Sequence, residues 1–523
     1  MSHSDAGAEP QVNPWLVSLS VMLGTFMVVL DTTVVNVSLP HIAGSLSASI
    51  EESTWALTSY LAANAVILPL TGWLANHFGR KRLLLISVAG FTAASFLCGL
   101  ALNLPMLIVC RILQGMTGGV MQPISQAIML EAFPPRERGK AMAFFGIGIV
   151  VAPILGPVLG GWLTDTYSWR WVFYINIPFG ILSLFMTSTF IFDPHYIRRG
   201  TARIDYWGIG LLALGIGALQ IGLDKGQQED WFASRWIVVL LCTAAVAIPL
   251  LVVRELRVRN PVVDLRAFSE RTYSTGVVLM TLMGFVLYGS LVLLPVLLQV
   301  LLGYPPVEAG IAMAPRGIGS LLAMPLVGIL MARMDGRHLL IGGFLIGGFS
   351  LFWLSWINLQ VGFWNVFWPQ FAQGVGLGLL FVPLSAVTMD RIPKEKMGNA
   401  TSLFNLMRNI GGSTGIALTQ TFLERRRQFH TQTLASHINP YDVSSQIAVQ
   451  RMTSTFISKG ADAATAAKRG YAALSGIVRQ QAGILSFNDA FWALGFIFIL
   501  LTPLVFIMRP PAHHGAAPTQ SNS

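Results

Sequence analysis

Long apolar runs separated by short polar turns dominate this chain. Runs long enough to cross a bilayer, about 20 residues each, lie near 15–39, 53–75, 83–103, 106–130, 139–162, 171–192, 207–223, 235–253, 273–300, 307–332, 338–358, 364–389, 398–422 and 487–508. The pattern predicts an all-α integral membrane protein with fourteen spans. A polar segment at 423–486 separates the last two. One acid interrupts the first run. Asp31 lies about 24 Å of helix beyond Trp15 and about 12 Å before Leu39, inside the hydrocarbon. A carboxylate at that depth must face a water-filled cavity or find a partner. It reads either as a site on an ion, proton or substrate path or as a fixed structural ion pair.

Composition fits the pattern: 54% of the 523 residues are hydrophobic and 11% are charged, with a mean hydropathy of +0.62. The net charge of +10 does not mark a nucleic-acid binder. Twenty of the 34 Lys and Arg residues fall in alternate short loops, at Arg80, Lys81 and Arg82, around Arg136 to Lys140, at Arg198, Arg199 and Arg203, and onward to Arg509. The loops on the opposite side hold only Arg170, Lys225 and Arg235 apart from the long segment, so the positive-inside bias places both termini in the cytoplasm. The polar start, residues 1–14, has no basic n-region or cleavage site, so the first span is expected to be retained. Cys98, Cys110 and Cys242 all fall in apolar runs and indicate no disulfide framework.

The chain repeats itself at an offset of about 256–260 residues. Pro69-Leu70-Thr71-Gly72 recurs as Pro325-Leu326-Val327-Gly328, and Gln114-Gly115 recurs as Gln373-Gly374. Pro135-Arg136-Glu137-Arg138-Gly139 recurs as Pro393-Lys394-Glu395-Lys396-Met397-Gly398. Two related six-span halves, 15–192 and 273–508, would enclose a site at their interface and rock about it. Residues 193–272 are then a linker carrying two extra spans, 207–223 and 235–253, and 509–523 is a cytoplasmic tail. The outer segment 423–486 is expected to form a helical hairpin, broken at Asn439-Pro440.

Three cations also lie inside spans. Arg111 is about 8 Å into the fourth run, close to the depth of Asp31, so the two could meet. Arg316 and Arg408 lie deeper in the tenth and thirteenth runs; either contacts substrate or pairs with backbone carbonyls. Polar candidates for a substrate cavity are Asn36, Asn64, Gln114, Gln122, Gln126, Tyr288, Gln373 and Arg408. The alternative for most of them is an interhelical hydrogen bond. No P-loop, clustered nucleophile and base, or metal-ligand spacing is present, and His513-His514 is a tail dipeptide.

The stretch Gly72-Trp73-Leu74-Ala75-Asn76-His77-Phe78-Gly79-Arg80-Lys81-Arg82 resembles the loop signature of the major facilitator superfamily. The Arg111–Gly119 stretch resembles its fourth-span motif, and Ala152-Pro153-Ile154-Leu155-Gly156-Pro157-Val158-Leu159-Gly160-Gly161 the fifth-span motif of its antiporters. With Trp169–Pro178 and fourteen spans, the chain is similar to the EmrB/QacA-type drug:proton antiporters. The resemblance implies a major facilitator fold of two six-helix halves plus two inserted helices. It further implies multidrug efflux powered by the proton gradient with no cofactor, proton transfer at Arg111 beside Asp31, and sealing against leak by the fifth-span motif. Export of one metabolite or lipid is the alternative; a non-transporting membrane receptor is the rival from another class. Expected partners are small amphipathic substrates, protons, the bilayer of a bacterial inner membrane, a periplasmic membrane-fusion adaptor and an outer-membrane channel, with no nucleic acid.

Physical readings stand beside the motifs. Gly72 and Gly79 permit a tight turn, while Arg80 and Arg82 stay in cytoplasmic water as a topology anchor or a gating element. The family's usual Asp in this loop is Asn76, which weakens a charge-based latch. Gly115 sits within the fourth-span motif. In the fifth span, Pro153 and Pro157 remove helix hydrogen bonds, and Gly156, Gly160 and Gly161 would allow close backbone approach.

Overall fold

In a computed structural model, residues 13–193, 205–258, 261–438, 441 and 443–509 are described. The polar start to residue 12, Arg198, Arg199, Arg203 and Arg259, the Asn439-Pro440 break and the tail from Pro510 lie outside them. The first six long helices are α1 (Pro14–Ser45), α2 (Glu51–Phe78), α3 (Arg80–Gly99), α4 (Leu104–Ala132), α5 (Arg138–Thr166) and α6 (Trp171–Phe190). An inserted pair follows, α7 (Tyr206–Gly226) and α8 (Arg235–Arg257). The second bundle comprises α9 (Arg271–Val296), α10 (Pro306–Leu330), α11 (Gly336–Leu354), α12 (Phe363–Met389), α13 (Met397–Ser436) and α15 (Ala463–Leu501), with the short α14 (Val443–Ser458) between the last two.

Local chemistry sets the helix ends. Asn13 and Asn103 accept from the backbone N–H of Trp15 and Met106, each just before a helix with Pro in its first turn. Gly79 turns α2 into α3 at φ 87°, a conformation that disfavours any other residue. The repeat is visible as two short 3-10 turns, Pro135–Glu137 and Lys394–Lys396, which open α5 and α13.

Thirteen helices among the described residues are long and apolar enough to cross a membrane, one fewer than the runs along the sequence predict. The exception is α13, whose face carries Asn399, Thr401, Ser402, Asn405, Arg408 and Ser413. Most of them, though not Arg408, find protein partners. Thr401 and Ser402 return their hydroxyls to Met397 and Gly398 carbonyls, and Asn405 donates to Gln126 of α4 across 2.7 Å. Packing on α9, α15, α2 and α4 embeds it in the bundle.

The two bundles meet along α5 and α10, and again at the basic end, which carries Arg80, Arg138, Arg337 and Lys394. A Cβ on Gly72 would lie 2.6 Å from the Asn399 Cα, so only glycine lets α2 and α13 approach. Arg138 reaches Asp390 at 3.9 Å, and Arg80 donates to the Lys394 carbonyl at 3.5 Å. Arg80 is not in water: it is buried and ion-paired with Glu131, whereas Arg82 is exposed. Its position at the first residue of α3 turns it inward under α4. A charged contact therefore joins the bundles through Arg138 and Asp390, although Asn76 is exposed and neutral.

The inserted pair touches both bundles. Helix α7 packs on α2 and α13; Asp224 accepts from Thr58, Lys225 donates to Thr54, and Gln220 donates to Ser413 at 2.8 Å. At the basic end Arg254 grips Asp205 at 2.7 Å and, by that hydrogen bond, holds its carboxyl below the usual range. Beyond the far end, α13 and α15 continue as helices of 40 and 39 residues, about 60 Å each and twice the hydrocarbon thickness. Asp489 ties them together, bonding Arg426 and His430 at 2.6 Å each, and α14 packs on α15.

Candidate proton and substrate site

Asp31 and Arg111 are both fully buried and meet at 2.5 Å. Two further donors converge on the same carboxylate: Gln114 Nε2 at 2.9 Å and Asn176 Nδ2 at 2.8 Å. Gln114 also accepts from Arg111 at 2.7 Å, which fixes which end of its amide faces the acid. Arg111 donates through Nε to the Ala56 carbonyl at 3.0 Å, and its guanidinium lies over the Tyr60 ring at 4.1 Å. Ser95 supports Asn176 at 3.0 Å. Every partner comes from α1, α2, α3, α4 or α6, so the first bundle compensates this charge alone. The set suits a carboxylate, which only accepts. It is not saturated: Arg111 Nη2 and Asn176 Oδ1 are buried without a hydrogen-bond partner among the described residues.

Small residues make this convergence possible. A Cβ on Gly115 would lie 2.4 Å from the Tyr60 carbonyl, so glycine lets α4 press against α2 beside Arg111. On the other flank Gly156 and Gly160 seat α5 on Thr33 and Val34 of α1. Gly161 contradicts the expectation of close approach. A Cβ there would meet nothing within 4 Å, because one residue further turns the helix face by about 100° away from α1. Pro153 and Pro157 are exposed.

The remaining candidates scatter. Gln114 is a member of the carboxylate cluster and does not line a cavity. Gln126 and Gln373 are buried and spent on interhelical bonds, Gln373 to Ser290 at 3.2 Å. Asn36 is exposed, while Asn64, Gln122 and Tyr288 are half-buried. Arg316 lacks the expected carbonyl partners; neither it nor Arg408 makes a hydrogen bond or ion pair through its guanidinium among the described residues.

Residues 21–416 match the Major Facilitator Superfamily. The chain belongs to that superfamily. It is 40% identical over 504 residues to the fatty acid resistance protein FarB of Neisseria gonorrhoeae, covering 95% of this chain and 97% of the relative. It is 37% identical over 497 residues to the multidrug export protein EmrB of Escherichia coli K12, covering 95% of each. These similarities make it an EmrB-type transporter of the superfamily. The fold is shared with the human organic anion transporter MFSD10, at a TM-score of 0.61 and 13% identity over 95% of this chain and 100% of that one.

Within this major facilitator frame, depth along the sequence locates Asp31 and Arg111 but not Asn176. That residue sits in Trp169–Pro178, and an amide one turn into an apolar run was the available signal. Truncating one partner of a buried pair leaves the other uncompensated. Arg111→Gln should therefore destabilise the protein by about 3–5 kcal/mol, and adding Asp31→Asn should recover most of it. Thermal melts of the two single variants and the double variant in detergent measure this coupling; strictly additive losses would contradict the pairing.

Proposed function

We propose that the protein exports small amphipathic, partly aromatic toxic compounds across a bacterial inner membrane in exchange for protons, by alternating access. The carrying observation is the Asp31–Arg111–Gln114–Asn176 cluster, a fully buried acid compensated within one bundle of a two-bundle transporter. The names of the relatives support multidrug or fatty-acid-like cargo. The basic end is the cytoplasmic side, by the positive-inside bias. The contacts between the bundles at Gly72, Arg80 and Arg138 would serve as the gate on that side. Protonation of Asp31 removes the charge that holds Arg111, Gln114 and Asn176 together, and loosens α1 against α4 and α6. Substrate entering from the cytoplasm and the proton then exploit opposite states of the same bundle. The proton gradient supplies the energy; no cofactor or covalent step is involved, and the protein is not an enzyme.

The long extensions of α13 and α15, with α14, form the element that reaches into the periplasm. They suit docking of a membrane-fusion adaptor that passes substrate to an outer-membrane channel. A lid over the transporter's own mouth is the competing role.

Asp31→Asn should abolish pH-gradient-driven export in proteoliposomes while the protein still inserts and elutes as a folded species; retained gradient-driven export would sink the coupling role. Replacing 432–480 by a short Gly/Ser bridge should leave transport in liposomes intact, yet abolish whole-cell resistance and co-purification of an adaptor. Lost liposome transport with adaptor binding preserved would make the segment a gate instead.

A further inference from the structure

We propose that Arg316 and Arg408, with Tyr288 at their level, form an anion-binding site in the second bundle that takes the carboxylate or sulfonate head of an amphipathic substrate. The inference rests on the transport reading and names its cargo class. Arg316 is ten residues into α10 from the far end and Arg408 eleven residues into α13 from the basic end. Both therefore stand about 15 Å deep, near the midplane. Arg408 is 5% exposed and Arg316 half-buried. Arg316 Nη2 and Arg408 Nε are buried without any hydrogen-bond partner among the described residues. Gln373, next to the Gly374 that abuts the Arg316 carbonyl, donates to Ser290 two residues from Tyr288 at 3.2 Å, and Gly284 and Gly412 press the helix of Tyr288 onto that of Arg408. These contacts set the three residues at one level on α9, α10 and α13.

Their backbones are fixed from behind. A Cβ on Gly374 would lie 2.0 Å from the Arg316 carbonyl, one on Gly284 2.5 Å from the Arg408 carbonyl, and one on Gly412 2.6 Å from the Tyr288 ring. Ser320 donates to the carbonyls of both Arg316 and Gly374. Gly317, next to Arg316, abuts Ile154 of α5, which puts the site at the seam between the bundles.

Among the described residues, no acid pairs with either arginine. Asp489 is held by Arg426 and His430, Asp335 by Arg337, and Asp31 by Arg111. Glu308 is exposed eight residues nearer the far end of α10. Two intramembrane guanidiniums with no counter-charge among the described residues call for an external one. Their planar donor forks fit carboxylate or sulfonate oxygens, and a phenol adds a donor. Midplane depth places such a head away from the lipid headgroups, and the half-buried Phe285, Ile154 and Met313 offer apolar wall to a tail.

The test uses the full-length protein in an uncharged maltoside detergent and measures equilibrium binding of radiolabelled laurate and methyl laurate. The wild type should bind the acid at least about tenfold tighter than the ester, a difference of about 1.4 kcal/mol. Arg316→Gln and Arg408→Gln should each erase that preference while leaving ester binding unchanged, and Lys at either position should restore part of it. Equal wild-type binding of acid and ester overturns the proposal without recourse to any variant. So does equal loss of both ligands in the variants, or butyrate binding as tightly as laurate with both displaced by chloride, the mark of a simple inorganic anion site. Because binding is read without a gradient, a wild type that selects laurate but exports nothing would overturn the efflux reading and leave this site standing.

Discussion

A carboxylate in a dry helical bundle has to be compensated where it stands, and much of the first bundle follows from that requirement. An unpaired ion at the depth of Asp31 would cost several kcal/mol. The chain meets the cost with a guanidinium and two amides from α4 and α6, and these must arrive within 3 Å of one side chain on α1. Helices carrying large residues cannot converge so closely. Gly115 against Tyr60 and Gly156 against Thr33 are where the backbone gives way. The network is consequently a property of five helices moving together, and a change in the charge of Asp31 acts on all of them.

The second bundle is related to the first by sequence repetition but not by charge. Where the first holds a balanced acid and base, the second holds Arg316 and Arg408 without a balancing acid. The repeat preserved the loops, seen in the paired 3-10 turns before α5 and α13, and the glycine beside each buried glutamine, Gly115 and Gly374. The proposed division of labour places the proton on one side of the seam and cargo charge on the other. Helix α7 complicates a simple rocking motion. It bonds Thr54 and Thr58 in one bundle and Ser413 in the other, so opening and closing must exchange or carry these polar rungs.

How much of this was legible in the sequence depended on whether one coordinate sufficed. Depth along a helix is enough to bring Asp31 and Arg111 to one level, because both lie in uninterrupted apolar runs. It fails for Arg80, which sits at a helix start and reads as solvated, yet turns inward onto Glu131 because α4 overhangs it. It fails for Gln114, whose spacing of three from Arg111 puts both on one helix face but does not say that the face meets an acid instead of a cavity. The run at 398–422 reads as a span although α13 is less apolar than the other thirteen, and the sequence does not say that its polar side chains are satisfied by a neighbouring helix instead of by water. Gly161 shows the converse: a motif residue whose smallness meets no neighbour.

If cargo and proton compete through Asp31, binding of cargo must set protons free. Purified protein in weakly buffered detergent is saturated with 1-naphthalenesulfonate, an amphipathic anion whose own charge does not change near neutral pH, and a pH-sensitive dye reports the protons set free. The account predicts release approaching one proton per bound ligand from the wild type, depending on the starting pH, and none from Asp31→Asn. Equal release from the two proteins, with binding saturated in both, would contradict it.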